Sequence, residues 1–158
     1  MRDIPAKIVD KRILIMIIQI AELIVLAVIA GEDMRSMNIS SWKIWILAVL
    51  SVGSAAFGMA TGRGDVWYVL AALLPGVVLI GLHYITGKQI GLGDGLVTLC
   101  VGPAFGAERV LLGITAAFFA SALFSLVIIA VLRDKRKKSY PFVPFIAAGM
   151  VVATIAKI

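Results

Sequence analysis

Residues 66–82 read VWYVLAALLPGVVLIGL, a stretch of seventeen without a single charge. An amphipathic surface helix alternates an apolar stripe with a polar face, and no polar face can be drawn here. As a helix the stretch extends about 26 Å at 1.5 Å per residue, close to the roughly 30 Å hydrocarbon core of a bilayer once tilt or thinning is allowed.

The neighbouring sequence repeats the pattern. Residues 44–60 and 110–132 are also free of charge, and further apolar blocks run over 13–30, about 95–107 and 141–157. Of the 158 residues, 61% are hydrophobic and 15% charged, and the mean hydropathy is +1.06. Soluble domains run nearer 45–50% apolar and about 25% charged. The fold class expected is therefore all-α: a polytopic membrane protein of about six transmembrane helices in one bundle. A single domain is expected over 1–158, with 1–12 as an N-terminal tail. The fourth block is short and interrupted by Gly102-Pro103, so a half-buried or kinked helix shielded by its neighbours is expected there. The basic opening MRDIPAKIVDKR followed by an apolar run also resembles a secretory signal. The run is 18 residues long and its leader holds two acids, which favours a retained membrane helix.

Charge and cysteine content narrow the function classes. The formal net charge of +6 reads, in a membrane protein, as topology and attraction to the lipid bilayer rather than nucleic-acid binding. The single cysteine, Cys100, forms no internal disulfide and cannot anchor a zinc site alone. No metal and no cofactor is expected. If all six blocks cross, the loops after blocks one, three and five share one side. They carry eight Lys and Arg: Arg35, Lys43, Lys88 and five in the run RDKRKK at 133–138. The two opposing loops carry only Arg63 and Arg109. The excess assigns the first set to the cytoplasmic face of the cell membrane. Adding the basic tail and Lys157 to the other side narrows the margin to eight against seven.

That face also receives two acids. Asp33 closes the first block within GEDMRSMNISSW, and Asp94 stands between glycines in GLGDGLV at 91–97. Two carboxyl groups held close cannot both ionise easily, so they share a proton. The ionised one draws a proton from water while the other polarises a carbonyl. That chemistry is aspartic proteolysis, and it needs no metal, nucleophilic serine or histidine. Gly91, Gly93 and Gly95 would give a substrate backbone room and adopt positive φ freely. The competing reading is local: Asp94 is a good N-cap for the fourth helix, and Asp33 a loop residue.

The chain resembles the type IV prepilin peptidases, membrane aspartyl proteases that share a Gly-x-Gly-Asp motif with presenilin-like enzymes. GLGD at 91–94 has that form. EDMRSMNIS resembles the family's first-aspartate segment, with Asp33 as the acid, Arg35 two residues on and Ile39 six on. KKSYPFVPFIAAG at 137–149 resembles its closing Pro-Phe-x-Pro-Phe segment. The resemblance runs from about residue 13 to the C-terminus. It implies catalytic roles for Asp33 and Asp94, with Gly91, Gly93 and Arg35 supporting the site. Substrates would be prepilin-like membrane proteins, pilins or pseudopilins, whose short basic leader is cut at the cytoplasmic membrane face. The chain departs from the family at Leu96, where a lysine is usual, and at Ile39-Ser40-Ser41, where Ile-Pro-Asn is usual. It also lacks the insert with paired cysteines that accompanies methyltransferase activity, so a peptidase-only short form is expected.

Two further polar residues lie in apolar blocks. Glu22, near Gln19, is eleven residues from Asp33, close to three helical turns, so the two acids point roughly the same way. It reads either as an interior polar contact for substrate or a neighbouring helix, or as a protonated acid hydrogen-bonded within the bundle. His83, the one histidine, reads as an interfacial residue. Trp42, Trp45, Trp67 and Tyr68 stand at block ends as aromatic belts do. Two other function classes compete with the peptidase: a small proton-coupled transporter, and a non-catalytic subunit of a pilus or secretion assembly.

Overall fold

The computed structural model of the chain describes residues 6–36, 40–60, 62, 65–87, 90–132 and 140–156, with the backbone alone at 6–12 and 131–132. Six helices account for its regular structure: α1 Ala6–Ser36, α2 Ser41–Ala60, α3 Val66–Ile85, α4 Leu92–Phe105, α5 Ala107–Leu132 and α6 Val143–Ile155. Several positions used in the charge count (Lys88, Arg63, Lys157, Arg2 and the run 133–138) lie outside the described residues, as does Ile39.

Four helices hold stretches long and apolar enough to cross a membrane: Ile13–Ser36, Ser41–Ala60, Val66–Ile85 and Ala107–Ala130. In hydrocarbon a backbone must satisfy its own hydrogen bonds, which leaves an apolar run little choice but helix. Their outward faces are greasy. Met16, Ile17, Ile20, Ile24 and Val28 on α1 are all more than half exposed, a stripe at helical spacing that suits acyl chains and would aggregate in water. Trp42, Trp45 and Trp67 are exposed at helix ends, where an aromatic ring straddles the interface.

The boundaries differ from those expected. The segment expected as a tail is helical from Ala6, and α1 runs on past residue 30 to Ser36, so Asp33 lies in a helix rather than a loop. The fourth helix begins at Leu92 instead of about 95, and the last begins at Val143 instead of 141. A helix does not stop where the hydrocarbon does; it continues until a cap or a breaker ends it.

The two shorter helices are α4, with 14 residues, and α6, with 13. Each reaches only about 20 Å, less than a bilayer core. Helix α4 sits in the middle of the bundle and contacts all five others. Its buried side includes Val97, Thr98, Cys100, Val101, Ala104 and Phe105. Small residues let its neighbours close in. A Cβ at Gly76 of α3 would stand 2.5 Å from the Leu99 backbone, one at Gly95 would stand 2.7 Å from Ile80 Cγ1, and one at Gly102 would overlap the Ala72 carbonyl. Gly113 and Gly149 play the same part between α5 and α6. Van der Waals packing of this kind holds helices together where lipid offers no hydrophobic drive.

Polar groups close the ends of α4. Its last carbonyls lack intrahelical donors. One of them, Ala104 O, accepts a hydrogen bond from Gln19 Nε2 at 2.9 Å, across from α1. Gly106 ends the helix at φ 84°, its N–H on Gly102 O at 2.8 Å.

Candidate active site

Asp33 occupies the last turn of α1, only 6% exposed. Its Oδ2 accepts the Val143 N–H at 3.3 Å. Val143 is the first residue of α6, whose opening N–H groups have no partner within the helix. Pro144, the next residue, has no N–H to satisfy, while Phe145 and Ile146 donate to Phe142 O at 3.0 and 3.2 Å. Asp33 therefore takes the one remaining donor. It also lies where the helix dipole favours negative charge. This gives the PFVPF segment a physical purpose: it delivers a helix N-terminus to an aspartate.

Asp94 has a parallel arrangement on α4. It is not the N-cap that its position suggests: Gly91 is, with φ −64° and ψ 130°. Asp94 is the third helical residue, and its Oδ2 lies against Gly91, whose backbone N–H acts on the carboxylate from the position of a capping box. Nor do the surrounding glycines supply left-handed backbone. The described glycines with positive φ are Gly62, Gly87 and Gly106. What Gly91 provides is the missing Cβ, which would stand 2.7 Å from Asp94 Oδ2. Gly95 faces Ile80 on α3 and so serves packing. Gly93 is half-buried in the first turn of α4.

The two aspartates lie within electrostatic reach of each other across the bundle. The charge of Asp33 acts on Asp94, and each acid lies at the N-terminal end of a short helix. Neither of the pair touches a lysine or arginine in a described ion pair; the described pair is Lys43–Glu32 at 2.8 Å. Two carboxyl groups so placed, each served by a backbone N–H, carry one charge more readily than two.

Arg35 and Glu22 make no described hydrogen bond or ion pair with either aspartate. Arg35 is exposed at the end of α1, where a cation suits the helix dipole. Glu22 is fully buried, and neither of its carboxyl oxygens has a hydrogen-bond partner among the described residues; the same holds for Ser51 Oγ and Thr98 Oγ1. Among the described residues no three His, Cys, Asp or Glu side chains come together as metal ligands.

Sequence reading misses three contributors. Glu32, beside Asp33, clips α1 to α2 by accepting from Lys43 Nζ and from Ser40 Oγ, both at 2.8 Å. Gln19, which in sequence is only a neighbour of Glu22, caps α4. His83, in the last turn of α3, is 9% exposed and so turns inward, and its Nδ1 meets the Ile90 carbonyl. The order of acid and amide residues carries a hint of the first two; nothing in the sequence signals which way His83 turns.

Compared with protein-family models, with curated proteins and with solved structures, the chain gave no significant match.

Proposed function

We propose that the protein is a membrane aspartyl endopeptidase that removes the short basic leader of prepilin-like membrane proteins, with Asp33 and Asp94 as its catalytic pair. The observation that carries this reading is their convergence. Two acids 61 positions apart in sequence, on different helices of an apolar bundle, lie within electrostatic reach of each other, and each is tied to a backbone N–H. An acid buried for stability alone would be expected to face a cation or to stand apart from a second acid. In the proposed mechanism one carboxylate takes a proton from water as that water adds to the scissile carbonyl. The other, protonated, donates to the carbonyl oxygen; as the tetrahedral diol collapses, the first carboxyl passes the water's proton to the leaving amine and the second takes its own proton back from the diol hydroxyl. The resemblance of GLGD, EDMRSMNIS and PFVPF to the prepilin peptidases supports the substrate class, a basic leader followed by an apolar helix. The loop charge count supports a cytoplasmic site. No methyltransferase activity is assigned.

A proton-coupled carrier is the second reading, and the buried, unbonded Glu22 is what favours it. The test separates the two. Purified protein in detergent is mixed with a peptide comprising a basic leader and an apolar helix, beside D33N, D94N and E22Q. Leader release by wild type and E22Q, and by neither aspartate variant, supports the peptidase. Undiminished release by folded D94N overturns it. Proton uptake into vesicles that depends on Glu22, without leader release, favours the carrier.

A further inference from the structure

The third helix turns one face to α4. Gly76 meets Leu99 and Ile80 meets Gly95, and the next position at helical spacing on that face is His83. Its ring is buried at 9% exposure and packs edge-on to Tyr84, with centroids 5.2 Å apart. The Nδ1 atom meets the carbonyl oxygen of Ile90. A carbonyl only accepts, so Nδ1 carries the proton and donates.

The Ile90 carbonyl and the Gly91 N–H belong to one peptide group, which is planar and trans. They therefore point in opposite directions from a rigid plate. His83 grips the oxygen end of that plate, and the Asp94 carboxylate lies at the nitrogen end, against Gly91. Fixing the first fixes the direction of the second. A hydrogen bond to the oxygen also polarises the amide and strengthens its N–H as a donor. The peptide is flanked by Gly91 and lies three residues after the positive-φ Gly87, and glycine restrains a backbone least.

We propose that His83 is a positioning residue for the candidate active site, holding the Ile90–Gly91 peptide so that the Gly91 N–H is aimed at Asp94. The inference rests on the aspartyl-endopeptidase reading for its effect on turnover, but the strap itself is a feature of the fold. His83 touches no reacting atom; it acts through Gly91 and Asp94.

The test uses the full chain in detergent with H83N, H83F and, as a control, D94N. The side-chain nitrogen of Asn lies the same number of bonds from Cα as Nδ1 and can donate to the same carbonyl. Phenylalanine keeps the ring and loses the donor. H83N is expected to keep kcat within about threefold of wild type. H83F is expected to lose about tenfold or more in kcat, since small misplacements of a reacting group are costly, with KM and thermal stability little changed. Hydrogen exchange at amides 90–95 gives a readout free of catalysis, rising in H83F and not in H83N. Wild-type kcat in H83F, or H83N as slow as H83F, overturns the proposal, as does unchanged exchange in H83F. Cleavage that survives D94N instead overturns the peptidase reading, and the exchange measurement still judges the strap.

Discussion

Replacing Asp33 with asparagine separates a catalytic acid from a structural one. In structural terms the change is mild. The amide oxygen of the new side chain would still accept the Val143 N–H now held at 3.3 Å. A charge-assisted hydrogen bond, worth about 1.5–3 kcal/mol, becomes a neutral one of about 0.5–1.5. The favourable interaction with the α6 dipole, about 0.3–1 kcal/mol, is lost as well. The total stability cost is then about 1–2 kcal/mol, which leaves the bundle folded. In chemical terms the change is severe, because an amide neither takes nor gives a proton at the pH of the reaction. A loss of about a thousandfold corresponds to roughly 4 kcal/mol of barrier.

Thermal unfolding in detergent and leader cleavage on the same preparation measure the two quantities. D33N should unfold a few degrees lower and be nearly inactive, and D33N/D94N should be scarcely worse than either single variant, because a unit fails once. Cleavage above a tenth of the wild-type rate by folded D33N, or losses that multiply in the double variant, would refute the dyad.

Other consequences are tested more briefly. G91A places a methyl group 2.7 Å from Asp94 Oδ2; it should cut turnover tenfold or more with little change in unfolding temperature, read by kinetics and melting. G149L forces a side chain into the Gly113 backbone and should cost about 1–3 kcal/mol or more, read as reduced thermal stability with the pH profile unaltered. Single cysteines at Ser36, Gly87 and Tyr140 should be labelled by an impermeant reagent from the cytoplasmic side, and one at Gly62 from the other; opposite labelling of Ser36 and Gly87 would separate the two acids. The pH–rate profile should be bell-shaped, and its two apparent values belong to the pair rather than to either aspartate.

The apolar blocks make the helices legible because hydrocarbon allows few alternatives. Their ends are harder to read. Glycines in GLGDG suggest a loop by soluble-protein propensity, yet Gly93 and Gly95 lie within α4. In a membrane bundle a glycine is as much a packing surface as a breaker, and Gly95 is in contact with Ile80. The extension of α1 to Ser36 is equally hidden, since EDMRS is polar and reads as loop until Glu32 is seen holding Ser40 and Lys43. The two aspartates are visible as residues, and their shared side follows from counting crossings. Their shared neighbourhood does not, because it depends on how α1, α4 and α6 are set against one another.

That setting has a physical logic in α1. Gln19 caps the C-terminal end of α4, and Asp33 acts at its N-terminal end. Fourteen residues separate them on α1, about 21 Å of helix, and α4 itself has 14 residues. The buried C-terminal end of α4 cannot hand its last carbonyls to water, so another chain segment must meet them. One antiparallel helix of matching length reaches both ends: Gln19 meets a last-turn carbonyl of α4, and Asp33 comes within electrostatic reach of Asp94 in its first turn. The amide at one end settles the register of α1 against α4. With that register settled, the aspartate at the other end is brought within electrostatic reach of Asp94, while α6, starting with Val143 and Pro144, supplies an N–H to Asp33. On this argument the polar cap at Gln19 and the pair at Asp33 and Asp94 are two ends of one alignment, and the proposed chemistry depends on a residue that lies the full length of α4 away from it.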